Sequence, residues 1–518
     1  MKLITQHQKK LMEECKIKAK DVGLLIDDET LEYEVTNQDM VELSPKGMIP
    51  THYDYWVQDL EIIKGKKQYE LYPHSAYETV INSRPAISFY NDNNPDWLNV
   101  MIFYHVIGHI DFFQNNMFYK NTWDDDFVGQ ALADKRLINH FRTKHGRWVD
   151  YIIEFTRGID NITGYYHNLS SDKETKLNKI DYYFDIFLQK EKKCSIPIYL
   201  KEMDKYNKIL NQNKRTVKTV FLAEVKTKYP EFEAFYKRYN KKDIKKHTDI
   251  IQYLMQNSDF VNRDENKWMK SVMEIVRNMA LYFEPQRRTK VCNEGWASLW
   301  HDKLFRADDR ISGHEVDYAV INSKVTSLPL VGLNPYALGM RLFEYIEECG
   351  DKGKLSKEFD LIKNRDIRKK YNKKVNNGKE KIFNIRKNLD DFNFINTFIN
   401  QDFVDKHNLC VVGERIDKRR GVKQYYIKSR KAEDYKQYVM SNFIHPPHIT
   451  VDTEKTKHGI LRLTHHYEKK QLIPEFIYNT MVGIEYLWNG VVELDTNLVF
   501  QGKPQQTLYV MKNRELTK

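Results

Sequence analysis

Two histidines stand four residues apart in His105-Val106-Ile107-Gly108-His109. On a helix, positions i and i+4 lie one turn apart on one face, as two ligands of a single metal ion must. The residues around them are apolar on nearly every side, and imidazoles inside such a helix are desolvated and need partners. A second segment, Asn293-Glu294-Gly295-Trp296-Ala297-Ser298-Leu299-Trp300-His301, offers them. Glu294 and His301 are two helical turns apart and share a stripe, while Trp296, Ala297 and Trp300 cover other faces. Two histidines from one helix and a glutamate from a later one follow the ligand logic of a catalytic zinc site with an open position. The expected metal ligands are therefore His105, His109 and Glu294, with a divalent ion, zinc first, as the cofactor. His301 and Asp111 are the catalytic candidates: His301 as a proton acceptor, Asp111 (with Ser298) as an outer residue fixing the tautomer of a ligand histidine.

The competing reading is a satisfied buried polar network of two imidazoles and a carboxylate, with no ion. Hydrolysis also meets a specific objection. In the HExxH zincins the Glu after the first His is the general base, and here that position is Val106. The expectation is thus a zincin-like helical core and a metal-dependent, hydrolase-like protein without the usual base.

The elements that must position these residues are mostly helical in the first half. Residues 5–20 predict an amphipathic helix and 95–120 a buried one; 265–307 are densely apolar. Asn334-Pro335-Tyr336 opens a helix running to about Glu348, with Pro335 suited to its first turn. Residues 150–262 alternate charged helical stretches with polar links such as Asn168–Ser171, and read as a helical arm. The chain is most basic over 351–390. Beyond it, strands are expected at Leu409–Glu414, Gln424–Ser429, His448–Asp452, Ile460–Tyr467, Val491–Phe500 and Thr507–Met511, with helices at Glu433–Phe443 and Pro474–Trp488. The fold expected is a mainly α domain over 1–392 followed by a smaller α+β sandwich domain over 393–518.

Composition bounds the rest. Of 518 residues, 41% are hydrophobic, and 33 Tyr, 26 Phe and 8 Trp are enough to build a large core and to exclude a wholly disordered chain. No apolar run is long enough to span a bilayer, and residues 1–21 lack the apolar stretch of a secretory signal. Five scattered cysteines without a CxxC pair argue against disulfides and thiolate zinc, and fit a reducing cytosol. A net charge of +11 is mild over this length. Tyr371 and Phe383 in the basic stretch could stack on bases, but a lysine-rich helix is more often a solvated face, so nucleic acid is not an expected partner. His465 and His466 on a strand point to opposite faces; His445 and His448 flank Pro446-Pro447 and read as structural. His140 and His145, five apart, share a helix face poorly. No phosphate-binding loop or nucleophile elbow occurs.

The runs His105–Asn116 (HVIGHIDFFQNN), Pro285–Ser298 (PQRRTKVCNEGWAS), Val80–Ser83, Gly332–Gly339 and Leu461–Glu468 closely resemble the stage V sporulation protein R (SpoVR) family. They occur in the family's order, from about residue 45 to the end. The resemblance implies a cytoplasmic bacterial protein tied to spore-cortex formation in spore formers. In other bacteria it implies association with a serine protein kinase and a von Willebrand-type domain protein. It delivers no reaction, and the Val after the first His belongs to the family pattern too. A Glu pair follows the arginine of that pattern matching Arg277, where this chain has Asn278 and Met279, and Arg142 replaces another Glu. These departures mark a divergent member.

Overall fold

The computed structural model describes residues 2–26, 29–36, 39, 78–83, 85–120, 122, 127–163, 179–192, 194, 196–212, 217–241, 249–417, 421–442, 446–456, 459–468, 470–500 and 503–518. Asn168–Ser171, His445 and the start of the family resemblance near residue 45 lie outside the described residues. Contacts divide the chain into two units, residues 1–169 with 248–518, and residues 170–247.

The larger unit opens with strand β1 (Lys2–Leu3) and helix α1 (Gln6–Asp21). The helix starts on a capping box in which Gln8 N donates to Thr5 Oγ1 and Thr5 N to Gln8 Oε1. Strands β2 (Thr30–Val35), β3 (Glu78–Ile81) and β4 (Ala86–Asn91) complete a sheet of order β1-β2-β4-β3, with β2 and β4 parallel. A mostly helical reading of the first half misses this sheet for a physical reason. The buried face of β2 carries Thr30, Glu32 and Glu34, so hydrophobic alternation points the wrong way. Lys9 Nζ, 2.7 Å from Glu32, and Lys2 Nζ, 2.9 Å from Glu34, pair with that inward-facing acid row.

Helix α2 (Asp96–Asn115) is buried from Leu98 through Phe113, as its unbroken apolar character requires. The dense region 265–307 is two helices, α3 (Lys267–Arg288) and α4 (Lys290–Arg306), broken at Thr289. Next come α5 (Glu315–Thr326) and α6 (Pro335–Asp351), the latter capped by Asn334 with Pro335 in its first turn. Helices α1, α2, α4 and α6 share one core, into which Phe394, Phe403, Tyr435 and Val439 also pack.

Towards the C-terminus, strands β5 (Val411–Asp417) and β6 (Val422–Ser429) form their own two-stranded sheet. Strands β7 (His448–Val451), β8 (Ile460–His466), β9 (Val491–Phe500), β10 (Lys503–Lys512) and β11 (Glu515–Thr517) form a sheet of order β11-β10-β9-β8-β7. Helix α7 (Pro474–Trp488) joins the parallel pair β8 and β9. This sheet and α7 share a second core with the first half of α3 and the helices Trp148–Arg157 and Ile250–Asn257. The chain is therefore mainly helical with an α+β C-terminal part. By itself, the unit 170–247 is helical around an aromatic core that includes Tyr183, Phe187, Phe221 and Phe232.

Candidate metal centre

The site begins with a close helix crossing. Gly108 lies between the two histidines of α2, and a Cβ there would stand 2.8 Å from Ala297 Cα on α4. The bare glycine lets the two backbones approach until short side chains meet. On the other side of α4, Gly295 faces Gly339 of α6 with no room for a Cβ on either. Three helices are thus stacked by small residues. The start of α4 is held by Asp391, whose carboxylate accepts from Val291 N and Cys292 N, both at 2.8 Å. This is a helix cap supplied from another helix.

His105, His109 and Glu294 converge: their nearest ligand atoms all lie within 4.8 Å of one another. His105 Nε2 and His109 Nε2 are 3.0 Å apart, and Glu294 Oε2 is 3.8 Å and 3.5 Å from them. A tetrahedron of ligands at about 2.0–2.1 Å would have edges of roughly 3.3 Å, so these spacings bracket one face of it. All three residues are buried, at 5%, 8% and 6% exposure.

Hydrogen-bond partners orient the three rings. Asn322 Nδ2 donates to Asp302 Oδ1 at 2.9 Å, which turns its Oδ1 toward His301 Nε2 at 3.0 Å. His301 must donate there, and burial holds its pKa down, so the ring is neutral with a bare Nδ1. That atom sits 2.9 Å from His105 Nδ1, which donates to it and turns His105 Nε2 toward His109 and Glu294. His109 Nδ1 lies 2.9 Å from Asn293 Oδ1, which leaves its Nε2 facing His105 Nε2 at 3.0 Å. Glu294 Oε1 is taken by the exposed Lys290 ammonium, while Oε2 is buried without a hydrogen-bond partner among the described residues.

The electrostatics agree. Burial pushes the His105 pKa down to about 3 and lowers that of His109. Burial alone would raise the Glu294 carboxyl, but the adjoining imidazoles and Lys290 outweigh it and hold it well below the usual range. Two buried imidazoles and a carboxylate thus converge on one point, a donor set that fits a divalent cation.

The remaining candidates are placed differently. His301 spends Nδ1 on His105 and Nε2 on Asn322, so it orients a ligand from behind. Asp111 touches neither histidine: it accepts from Leu25 N at 2.7 Å and Trp296 Nε1 at 2.8 Å, beside Arg386. Two residues along a helix from His109, it necessarily faces away. Ser298 is buried and its Oγ bonds neither ring. Sequence reasoning missed Asn293, Lys290, Asn322 and Asp302. Two of these were within reach, since Asn293 adjoins Glu294 and Lys290 precedes it by one turn. A small cavity of ≈ 30 Å³, lined by His105, His301, Asn322, Tyr336 and apolar groups, adjoins the site. It has room for a water or two, since one needs about 10–15 Å³.

The other positions singled out lie elsewhere. Arg142 pairs with Asp150 at 2.6 Å, and Arg277, beside the Asn278–Met279 departure, pairs with Asp249 at 2.7 Å. Phe383 packs edge-on against Trp296, and Tyr371 against Phe359. His145 stacks on Trp268, while His465 is buried and its neighbour His466 exposed. No helix among the described residues is long and apolar enough to cross a membrane.

No solved structure matches the chain. An Escherichia coli (strain K12) protein named "Uncharacterized protein YcgB" is 24% identical over 332 residues, 60% of this chain and 58% of that relative's length. The family described as "SpoVR like protein" matches residues 3–443, a span that holds the three converging side chains and His301 and ends before the C-terminal sheet. Such a match, running through α2 and α4 and most of the sequence, makes this protein a member of the SpoVR-like family.

Proposed function

We propose that the protein binds one divalent metal ion, zinc first, through His105, His109 and Glu294. In this reading it serves as a cytoplasmic protein in sporulation, spore-cortex formation or a related stress pathway. The carrying observation is the convergence of three buried ligating atoms, His105 Nε2, His109 Nε2 and Glu294 Oε2, at 3.0, 3.5 and 3.8 Å from one another. Such a bound ion would supply Lewis-acid chemistry to a water or carbonyl at its open position. The chain's own residues would do the rest: Asn293, and the relay from Asp302 through Asn322 and His301, hold both rings in the ligating tautomer, and Lys290 steadies the carboxylate. A zincin-like relation of this helical core belongs to the same proposal. So does association with a serine protein kinase and a von Willebrand-type domain protein, which the family resemblance supports.

A second reading draws on the near-complete burial of the group and on Val106 standing where a zincin has its base. There the cluster holds α2 against α4 in a non-catalytic regulatory or scaffold protein. Elemental analysis separates the two. Purified protein should carry about one metal per chain, and H105A and E294A should lose it while keeping their helical circular dichroism. Metal-free protein after purification with zinc present would leave the scaffold reading.

A further inference from the structure

The chain's net charge sits almost wholly in one short stretch. Residues 352–387 hold 14 Lys and Arg against 4 Asp and Glu, a net +10 of the chain's +11. Blocks of like charge usually leave a segment disordered, yet residues 352–377, which follow α6, are fixed in place. Lys373 N donates to Lys352 O at 3.0 Å, Asn376 N to Asp351 O at 3.1 Å, and Gly378 N to Asp351 Oδ1 at 2.8 Å. Among the described side chains of this segment only Phe359 is buried. The Arg368 guanidinium lies 4.0 Å from its ring centre, pairs with Asp402 at 2.7 Å, and donates through Nη1 to Phe359 O and Ile362 O. That clamp holds the turn Leu361–Lys363 against the short helix Arg365–Lys370.

What the clamp leaves in solvent is both cationic and aliphatic. Lys363, Lys369 and Lys370 are exposed and have no ion-pair partner among the described residues. Leu361 and Ile367 are 80% and 56% exposed. With Arg368 turned inward, Ile367 and Lys370, three apart, adjoin on the open side of the helix. The aromatic rings of the stretch face inward instead. Tyr371 packs against Phe359 with ring centres 5.1 Å apart, and Phe383 sits edge-on to Trp296. Neither can stack on a base, so a nucleic acid would engage the lysines and leave the aliphatic side chains without a role. An anionic bilayer takes both, phosphates at the ammonium groups and aliphatic side chains at the boundary of headgroups and acyl chains.

We infer that this segment is a peripheral contact for an anionic lipid surface, with Lys363, Lys369 and Lys370 on the headgroups and Leu361 and Ile367 entering the interface. Co-sedimentation of the full chain with vesicles tests it, comparing equimolar phosphatidylglycerol and phosphatidylcholine with phosphatidylcholine alone. The protein should bind the anionic vesicles only, and less as salt rises. K363Q/K369Q/K370Q should weaken that binding about a hundredfold, at roughly fivefold per lysine near the surface. L361S/I367S should weaken it about tenfold at unchanged charge. All five positions are exposed, so both variants should melt at the temperature of the unmutated protein. No binding to anionic vesicles, equal binding to neutral ones, undiminished binding in either variant, or release from the vesicles by duplex DNA at equal phosphate would each overturn the assignment.

Discussion

Asp302 touches none of the candidate ligands, yet through Asn322 and His301 its charge would decide whether His105 could ligate an ion. As a carboxylate it only accepts, so the Asn322 amide must turn its Nδ2 toward it and its Oδ1 toward His301. One further hydrogen bond, between His301 Nδ1 and His105 Nδ1, carries that choice to His105. Tyr318 OH and Arg306 Nε also donate to Asp302, which keeps its oxygen in place. In D302N the Asn322 amide is free to reverse, His301 then takes its proton on Nδ1, and His105 carries a hydrogen where a ligand needs a lone pair. Zinc affinity measured by chelator competition should fall about 10–100-fold, the usual effect of losing an outer partner. The protein should stay folded, because Asp302 lies near the edge of the helix packing. Affinity unchanged in folded D302N would show that the relay does not set the tautomer. Nitrogen-15 shifts of the histidine rings give an independent reading of the same switch.

At the scale of elements, the converging side chains were legible and their supports were not, for one reason. A periodic pattern reports which side of a helix is apolar, and that was enough to place His105, His109, Glu294 and His301 in the interior. It says nothing of partners from other helices, so the relay through Asn322 on α5 left no trace. Asp111 was misread as a neighbour of His109 because sequence proximity outweighed the helical rotation between them. The strands of the C-terminal sheet were visible through alternation, whereas the acid-lined β2 was not. Asp391 belongs with the invisible supports: it sits on a separate helix and caps α4 at Val291 and Cys292. Burial pushes its carboxyl up to about 7, against the pull of those two N–H groups. Its folded pKa thus lies above the unfolded value of about 3.9, so its contribution to stability declines as pH rises from about 4 to 7 and is flat beyond. The stability difference between the unmutated protein and D391N, from denaturant melts, should shrink across that window. A difference that grows with pH would mean that the N–H bonds outweigh burial and that the carboxylate is ionised in the fold.

For the whole molecule, the arrangement of cores gives the candidate metal site a reach beyond its own helices. The first half of α3 packs among Ile250–Asn257, Trp148–Arg157 and the C-terminal sheet through Met269, Val272 and Val276. Its far end is tied to the first core by Tyr282 Oη, which donates to Asn82 O at 2.6 Å, and α4 starts after a single intervening residue. An ion joining α2 to α4 would therefore secure the element that connects the two cores. Because such an ion would bind the folded chain and have only scattered ligands in the unfolded one, its binding energy appears as stability, about 2.7 kcal/mol at a hundredfold excess over Kd. Calorimetry should then show a higher unfolding temperature with zinc than with a chelator, and the gap should close in E294A. Hydrogen exchange should localise the effect: zinc slows exchange in α2 and α4 most, and in α3 more than in the outer strands β10 and β11. A zinc-dependent gap that persists in E294A would place the ion elsewhere on the chain. Protection confined to α2 and α4 would show that the two cores open independently despite the shared helix.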